Sequence, residues 1–169
     1  MKYTRFEDLP VWQDAMELTE RIFTLTEDRA FAGKGDLRNQ LQRAALSICN
    51  NIAEGFERGT TQELLTFLYI AKGSAGEVRS MLCLTDRMPG LHDLRSQISD
   101  LRGKAESIAR QLRAWAEKLQ NSDIKGHRYL TQADRDRQVR ERETEEFVSE
   151  LKAIVSRGRE TTDTNEPPA

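Results

Sequence analysis

The fold is decided by residues 94–119, LRSQISDLRGKAESIARQLRAWAEKL, which carry the most regular apolar pattern in the chain. Its apolar positions alternate in spacing between four and three residues: Leu94, Ile98, Leu101, Ala105, Ile108, Leu112, Trp115 and Leu119. This alternation places them on one side of an α-helix, as in the seam of a coiled coil. The stretch therefore predicts a long amphipathic helix that packs against other helices through a single stripe.

Three earlier segments have the same helical period. They are predicted to span about residues 9–27, 37–57 and 60–87. The links between them are short: AFAGKGD, then Arg58-Gly59, then Met88-Pro89-Gly90. Short links between amphipathic helices predict an all-α fold, an up-down-up-down antiparallel four-helix bundle.

Local signals mark where the predicted helices begin. Asp8 and Asp36 are expected N-caps of the first and second helices, and Thr60-Thr61-Gln62-Glu63 matches a capping box for the third. Gly73 and Gly76 lie inside the third helix, where each costs about 1 kcal/mol relative to alanine. We therefore expect another backbone to pack closely beside these two glycines.

The last part of the chain is predicted to be organised differently. The bundle is expected over residues 1–120, a linker over 121–130, a charged C-terminal helix over 131–157 and a disordered tail over 158–169. Phe147, Leu151 and Ile154 form a short apolar edge on this extra helix. Because such an edge does not sustain a folded unit alone, we expect it to dock on a partner or on the bundle.

Charge limits the classes of protein to consider. Residues 1–125 hold 18 Lys and Arg against 18 Asp and Glu, and residues 126–169 hold 8 against 10, which accounts for the net charge of −2. The chain is therefore not globally basic, and any site for a polyanion must be a local patch. No targeting segment or membrane span is expected, and two widely separated cysteines indicate a cytoplasmic protein.

Motifs of catalysis are missing from the sequence. It contains no phosphate-binding loop, no HExxH and no G-x-S-x-G. The only histidines are His92 and His127, and neither belongs to the Glu-x-x-His pairs of a di-metal bundle. We predict no enzyme activity, no cofactor and no metal site.

Several stretches resemble one known family. They are FEDLPVWQDAMEL at residues 6–18 and LRNQLQRAALSICNNIAEGFERGTTQELLTFLYIAKGSAGEVRSML at residues 37–82. Within them, the patterns S-x-x-x-N-I-A-E-G-F-x-R-G and F-L-Y-I-A-[KR]-G-S are distinctive together. The chain resembles, over about residues 5–120, the four-helix bundle proteins named for the 23S rRNA intervening sequence, which include the accessory variability protein of diversity-generating retroelements.

The resemblance implies a bundle that assembles into a barrel-like homopentamer. For the intervening-sequence proteins it implies association with ribosomal RNA. For the retroelement accessory proteins it implies a reverse transcriptase partner and nucleic-acid binding through a basic surface. The charge-balanced core of this chain departs from that pattern, and nothing carries over beyond residue 125.

One candidate nucleic-acid site lies on the fourth helix. Arg95, Arg102 and Arg113 fall on one line at 100° per residue, with Arg110 about 60° away. Lys72 and Arg79, one heptad apart on the third helix, are a second candidate. The alternative interpretation is a solvated face whose arginines pair with glutamates, as Glu106 and Arg110 would at a spacing of four.

A polar row on the second helix is a candidate subunit interface. It comprises Arg43, Ser47, Asn50, Asn51 and Glu54, and Arg43, Ser47 and Glu54 are expected to form a hydrogen-bonded strip opposite the apolar stripe. Buried between subunits, these groups would fix the register of assembly, because an unpaired buried polar group costs about 1–3 kcal/mol. Solvent exposure and a ligand site are the two alternatives.

Two functions follow from these observations. The first is a non-enzymatic oligomeric scaffold that binds RNA or DNA beside a reverse transcriptase or ribosomal RNA. The second is a protein–protein assembly module with the C-terminal helix as its docking element. The Arg residues and the resemblance favour the first, whereas the isoelectric point near 5.8 favours the second.

Overall fold

The structure is a computed structural model that describes residues 3–122, 140 and 143–149. Four long helices make up the first part of the chain: α1 (Pro10–Thr26), α2 (Gly35–Glu57), α3 (Thr61–Asp86) and α4 (Arg95–Gln120). Short 3-10 helices at Phe6–Asp8, Arg29–Phe31 and Pro89–Leu94 precede α1, α2 and α4. All four predicted helices are present, and the described residues contain no strand.

The helices form the predicted antiparallel four-helix bundle. α2 packs against α3, α3 packs against α4, and α1 closes the ring by contacting both α2 and α4. The α4 stripe faces the core from Leu94 to Leu112, while Trp115 and Leu119 are only half-buried. Ala116 is buried instead at this end, because 3.6 residues per turn carry a strict 3.5-residue repeat slowly off the core.

The helix starts confirm one expected cap and correct two. Thr60 caps α3, since its Oγ1 accepts a hydrogen bond from the Glu63 amide at 3.2 Å. Asp8 is not the cap of α1, because it lies in the preceding 3-10 helix and Leu9 occupies the cap position. Asp36 is not the cap of α2 either. It lies in the first turn, where its carboxylate still favours the positive end of the helix dipole.

The prediction of close packing at Gly73 and Gly76 is wrong within this chain. A Cβ built at either position would meet no atom within 4 Å. The close approach lies at Gly55, where a Cβ would stand 2.7 Å from the Phe67 Cβ and 3.2 Å from a Leu64 methyl. Gly55 therefore lets α2 and α3 approach, and Gly73 and Gly76 face open space.

The chain divides into two compact units, Met1–Arg128 and Tyr129–Ala169. In the second unit, residue 140 and residues 143–149 are helical, and Phe147 and Val148 are exposed. Most of the predicted linker, Leu151, Ile154 and the predicted tail lie outside the described residues. None of the helices in the described part is both long and apolar enough to cross a membrane.

Candidate functional site

Four arginines on the outer side of α3 and α4 share two carboxylates. Asp86, at the end of α3, lies 3.7 Å from the Arg95 Nε and 3.8 Å from an Arg102 nitrogen. Both arginines come from the first two turns of α4, which run back along α3 after the short link. One negative charge therefore serves two positive charges at this end of the surface.

The second shared carboxylate is Glu106. It lies 3.2 Å from Arg110, one turn further along α4, and 3.8 Å from Arg79 on α3. We call the four residues Arg79, Arg95, Arg102 and Arg110 the arginine face. With Asp86 and Glu106 counted against it, the arginine face keeps a formal surplus of two positive charges.

The remaining predicted bases stand apart from this network. Arg113 donates to Glu117 at 2.7 Å, and that hydrogen bond raises the pKa of the Arg113 guanidinium. This pair is neutral as a whole, although the Arg113 side chain is 68% exposed. Lys72 is half-buried and has no ion pair with any residue the structure describes.

A groove of about 430 Å³ opens between α3 and α4 in the middle of the arginine face. Its walls are Gly76, Arg79, Ser80, Cys83, Arg102 and Glu106. The Nε of Arg79, one of these lining residues, is buried and has no hydrogen-bond acceptor among the described residues. An unmatched buried donor costs about 1–3 kcal/mol, so a shift of the Arg79 side chain that gives this Nε an acceptor is favourable.

The opposite side of α4 has the reverse balance of charge. Lys104 donates to Glu17 at 2.7 Å and to Asp14 at 3.2 Å, both on α1. Gln111 donates to the other oxygen of Asp14 at 2.7 Å. The hydrogen bonds from Gln111 and Lys104 lower the pKa of Asp14, and the one from Lys104 lowers the pKa of Glu17. The ammonium group of Lys104 is therefore paired with two carboxylates of α1.

The predicted polar row of α2 separates into two groups. Ser47 is half-buried and exchanges a hydrogen bond with Ser74 of α3 at 2.9 Å. Asn51 donates to the Ser47 carbonyl at 2.7 Å and to its hydroxyl at 3.0 Å. Ser47 therefore bonds α2 to α3 inside the chain, and Asn51 bonds back to Ser47, instead of forming a strip with Arg43 and Glu54.

The other members of the row point outward. Arg43 and Asn50 are exposed, and Glu54 pairs with Arg58 at 2.6 Å. Leu46 shares their helix face and is 40% exposed. The outward part of the row is thus a mixed polar and apolar surface around Leu46.

An apolar surface that the sequence reasoning missed lies on α3. Tyr69, Ile70 and Leu84 are exposed, and the open Gly73 and Gly76 lie between them. We call these five residues the α3 outer surface. The sequence contains a signal for this surface. α3 has large apolar residues outside the stripe of apolar positions spaced by four and three residues. A helix with only one buried side has polar residues at such positions.

The described cysteines, histidine and carboxylates do not form a metal site. The described residues contain no group of three or more His, Cys, Asp and Glu that could hold a metal ion. Cys49 is buried against the Thr19 hydroxyl at 3.3 Å, and burial raises the pKa of its thiol. His92 is exposed in the 3-10 helix before α4, and His127 lies outside the described residues.

Comparisons with known proteins identify the family. Residues 7–114 match the family described as 23S rRNA-intervening sequence protein, and the chain belongs to that family. No curated protein matches the chain. A solved structure from Bacteroides thetaiotaomicron, described as a protein of unknown function from the S23 ribosomal protein family, has 22% identity and a TM-score of 0.56. The alignment covers 63% of this chain and 98% of that one, and shows the shared fold.

Proposed function

We propose that this member of the 23S rRNA-intervening sequence family is a non-enzymatic scaffold that binds nucleic acid through the arginine face. The observation that carries the proposal is that four arginines share two carboxylates on one side of the bundle. Around Lys104, by contrast, two carboxylates contact one lysine. A phosphate backbone supplies the negative charges that the arginine face lacks.

The geometry of the arginine face suits an exchange of partners. Its contacts with Asp86 are long, and the Arg95 and Arg102 side chains are 56% and 41% exposed. Exposed ion pairs of this kind contribute about 0–1 kcal/mol, so they oppose a change of partner only weakly. A guanidinium binds a phosphate through two parallel hydrogen bonds, which is a stronger contact than these pairs.

Self-assembly would multiply the surface. We propose that the chain forms a homo-oligomer, as the resemblance to pentameric relatives implies, and that each copy contributes one arginine face. One arginine face has a surplus of only two positive charges, which gives weak binding to nucleic acid. Several copies on one long nucleic acid act at a high effective concentration and bind it far more tightly.

The test is a binding titration against salt. Labelled single-stranded RNA and DNA are titrated with wild-type protein and with Arg95→Glu/Arg102→Glu/Arg110→Glu. A matched control, Arg21→Glu/Arg29→Glu/Arg38→Glu, changes the net charge equally at positions away from the arginine face. We expect the first variant to bind about a hundredfold more weakly at low salt and to lower the salt slope by about two.

The control separates location from net charge. It should lose far less affinity than the arginine variant, because its substitutions lie on α1, α2 and the link between them. Equal losses in the two variants would mean that only net charge matters. An unchanged affinity and salt slope in the arginine variant would refute the proposal.

We propose the outward part of the α2 row as a subunit contact. Arg43, Leu46, Asn50 and Glu54 lie on one helix face, and Leu46 is an exposed apolar side chain among them. Arg43→Ala/Glu54→Ala should weaken assembly, with Arg5→Ala/Glu7→Ala, an exposed Arg–Glu pair before α1, as the control. Light scattering that finds the same oligomer in both variants would count against this contact.

The partners proposed for the scaffold are ribosomal RNA or a reverse transcriptase. The family description names 23S rRNA, and the retroelement relatives suggest the enzyme. Phe147, 61% exposed, is proposed with Leu151 and Ile154 as the docking edge for a protein partner. Deleting residues 126–169 should leave cooperative melting of the bundle intact and abolish capture of that partner. Loss of cooperative melting would instead make the segment part of the folded core.

A second candidate function is protein–protein assembly alone. The exposed Tyr69 and Ile70, neighbours on α3, favour it, since adjacent exposed apolar side chains mark interaction surfaces, and Leu84 is exposed further along the same helix. Tyr69→Lys/Ile70→Lys should abolish assembly under this function. If it does so while wild-type protein shows no salt-dependent binding of RNA or DNA, assembly alone is the function.

A further inference from the structure

We infer, on the basis of the proposed nucleic-acid function, that the groove between α3 and α4 is a subsite for one phosphate group. The groove is lined by an arginine from each helix, Arg79 and Arg102, and Ser80 is also part of its lining. Its volume of about 430 Å³ exceeds what one phosphate group occupies and leaves room for the adjoining sugar. The recognised chemistry is a phosphate oxygen between two arginines.

The buried donor on Arg79 supports this assignment. The Arg79 Nε is buried without an acceptor among the described residues, whereas a terminal nitrogen of the same side chain lies 3.8 Å from Glu106. That distance is too long for a hydrogen bond, so Glu106 balances the charge without satisfying the donors. A rotation of the partly exposed Arg79 side chain would bring this Nε to a phosphate oxygen in the groove, which would supply the acceptor that the described part of the chain does not provide.

Gly76 makes the groove accessible from solvent. It lies one turn before Ser80 on α3, and a Cβ there would meet nothing within 4 Å. The space that a side chain would occupy is therefore part of the groove opening. This gives a role to a helix glycine that costs stability and that packing within the chain does not explain.

Glu106 acts in this arrangement as an internal competitor. It stands in the groove wall and contacts Arg79 in the absence of ligand. When phosphate enters, Glu106 keeps its closer partner, Arg110, at 3.2 Å. Removal of the Glu106 charge should consequently tighten phosphate binding, which is the opposite of what removal of a purely structural side chain does.

The experiment measures inorganic phosphate binding by equilibrium dialysis at low salt. The full chain is compared with Arg79→Met, Arg102→Met and Glu106→Gln, and the controls are Arg113→Met and Glu117→Gln, an ion pair on α4 outside the groove. We expect at least a tenfold loss in each groove arginine variant. We expect Glu106→Gln to bind about fivefold more tightly, because one repelling charge is removed at a few ångströms. The controls should match wild type.

A second arm uses a single-stranded oligonucleotide to identify the source of the phosphate. The same order of affinities among the variants would show that the groove holds a backbone phosphodiester. Phosphate binding with that order, but no oligonucleotide binding, would keep the subsite for a free phosphate group and overturn the proposed function. Oligonucleotide binding that Glu106→Gln and Arg102→Met leave unchanged would overturn the subsite alone.

Thermal unfolding of every variant shows whether a loss of phosphate binding comes only from a loss of folding. Arg79→Met is the variant most at risk of lower stability, because the Arg79 Nε is buried. Arg102 is 41% exposed and its replacement should leave folding intact, so its result decides when Arg79→Met is unstable. Wild-type phosphate affinity in Arg102→Met, together with no gain in Glu106→Gln, would refute the inference.

Discussion

The two sides of α3 differ in how closely other parts of the chain pack against them. Towards α2, Gly55 permits contact with Phe67 and Leu64, and Ser47 bonds to Ser74. On the other side, the α3 outer surface and the groove are open, and Gly76 faces empty space. The first side holds the bundle together. The second contributes little to folding, which leaves it available for binding.

The largest effect should come from filling the tight contact. Gly55→Ala places a Cβ 2.7 Å from the Phe67 Cβ, which is attached to the backbone and has little freedom to move. We expect the free energy of unfolding to fall by about 2 kcal/mol, a typical cost of overpacking. Chemical denaturation measures it. An unchanged or higher stability would show that α2 and α3 are not held this closely.

The matched change on the open side should have the opposite sign. Gly73→Ala/Gly76→Ala adds two methyl groups where nothing lies within 4 Å, and alanine is the better helix former. We expect the free energy of unfolding to rise by about 1.5 kcal/mol in a monomeric state. Gly103→Ala on α4, also in open space, is the control for the helix propensity of a single site. A loss of stability in the double variant would mean that this side is packed.

The contact of α1 with α4 is a third region to compare, because its lysine is paired with two carboxylates. Lys104→Met removes the partner of Glu17 and Asp14 and should lower stability by about 1 kcal/mol near neutral pH. Arg113→Met, which breaks an exposed pair, is the control and should change stability much less. Equal effects of the two substitutions would show that burial of Lys104 is unimportant.

Acid should act on the same contact. The pKa values of Asp14 and Glu17 are lowered by folding, so the stabilisation they give is present above their unfolded values of about 4 and is lost as pH falls through the folded values. Burial lowers the pKa of Lys104, but the hydrogen bonds and charges of Glu17 and Asp14 together outweigh it, so the pKa is raised and Lys104 stays charged throughout this range. The stability difference between wild type and Lys104→Met should therefore shrink below about pH 4. A difference that is constant from neutral to acid pH would contradict this account.

The smallest effect should come from the hydrogen bond between α2 and α3. Ser47→Ala removes the 2.9 Å bond to Ser74, but Ser74 keeps its bond to the Ile70 carbonyl and Asn51 keeps the Ser47 carbonyl. We expect a loss of about 0.5 kcal/mol, with Ser96→Ala as an exposed control. Disassembly without a stability change would instead assign Ser47 to a subunit contact.

The sequence predicted the bundle because its apolar spacing is regular over whole helices. It predicted the α4 stripe from Leu94 to Leu112, and it predicted the Thr60 cap. Asp8 and Asp36 were misplaced by one or two residues, because a 3-10 turn precedes α1 and α2 begins at Gly35, and apolar spacing does not fix helix ends this closely.

The candidate site was harder to predict than the fold. Angular offsets on one helix aligned Arg95, Arg102 and Arg113, but they do not show that Asp86 of α3 serves two of them and that Glu117 neutralises the third. Sharing of a carboxylate between helices depends on their separation and relative axial position. Likewise, the spacing of Ser47 and Asn51 did not show that Ser74 lies opposite them.

The central claim is that nucleic acid lies on the side of the bundle formed by the outer faces of α3 and α4. Ultraviolet cross-linking of wild-type protein to single-stranded RNA, followed by mass spectrometry of the peptides, tests it most directly. We predict cross-links at Cys83, in the groove wall, and at the exposed Tyr69 earlier on α3, and none at α1. Cross-links on α1 or within residues 143–149, with α3 and α4 unmodified, would contradict the account.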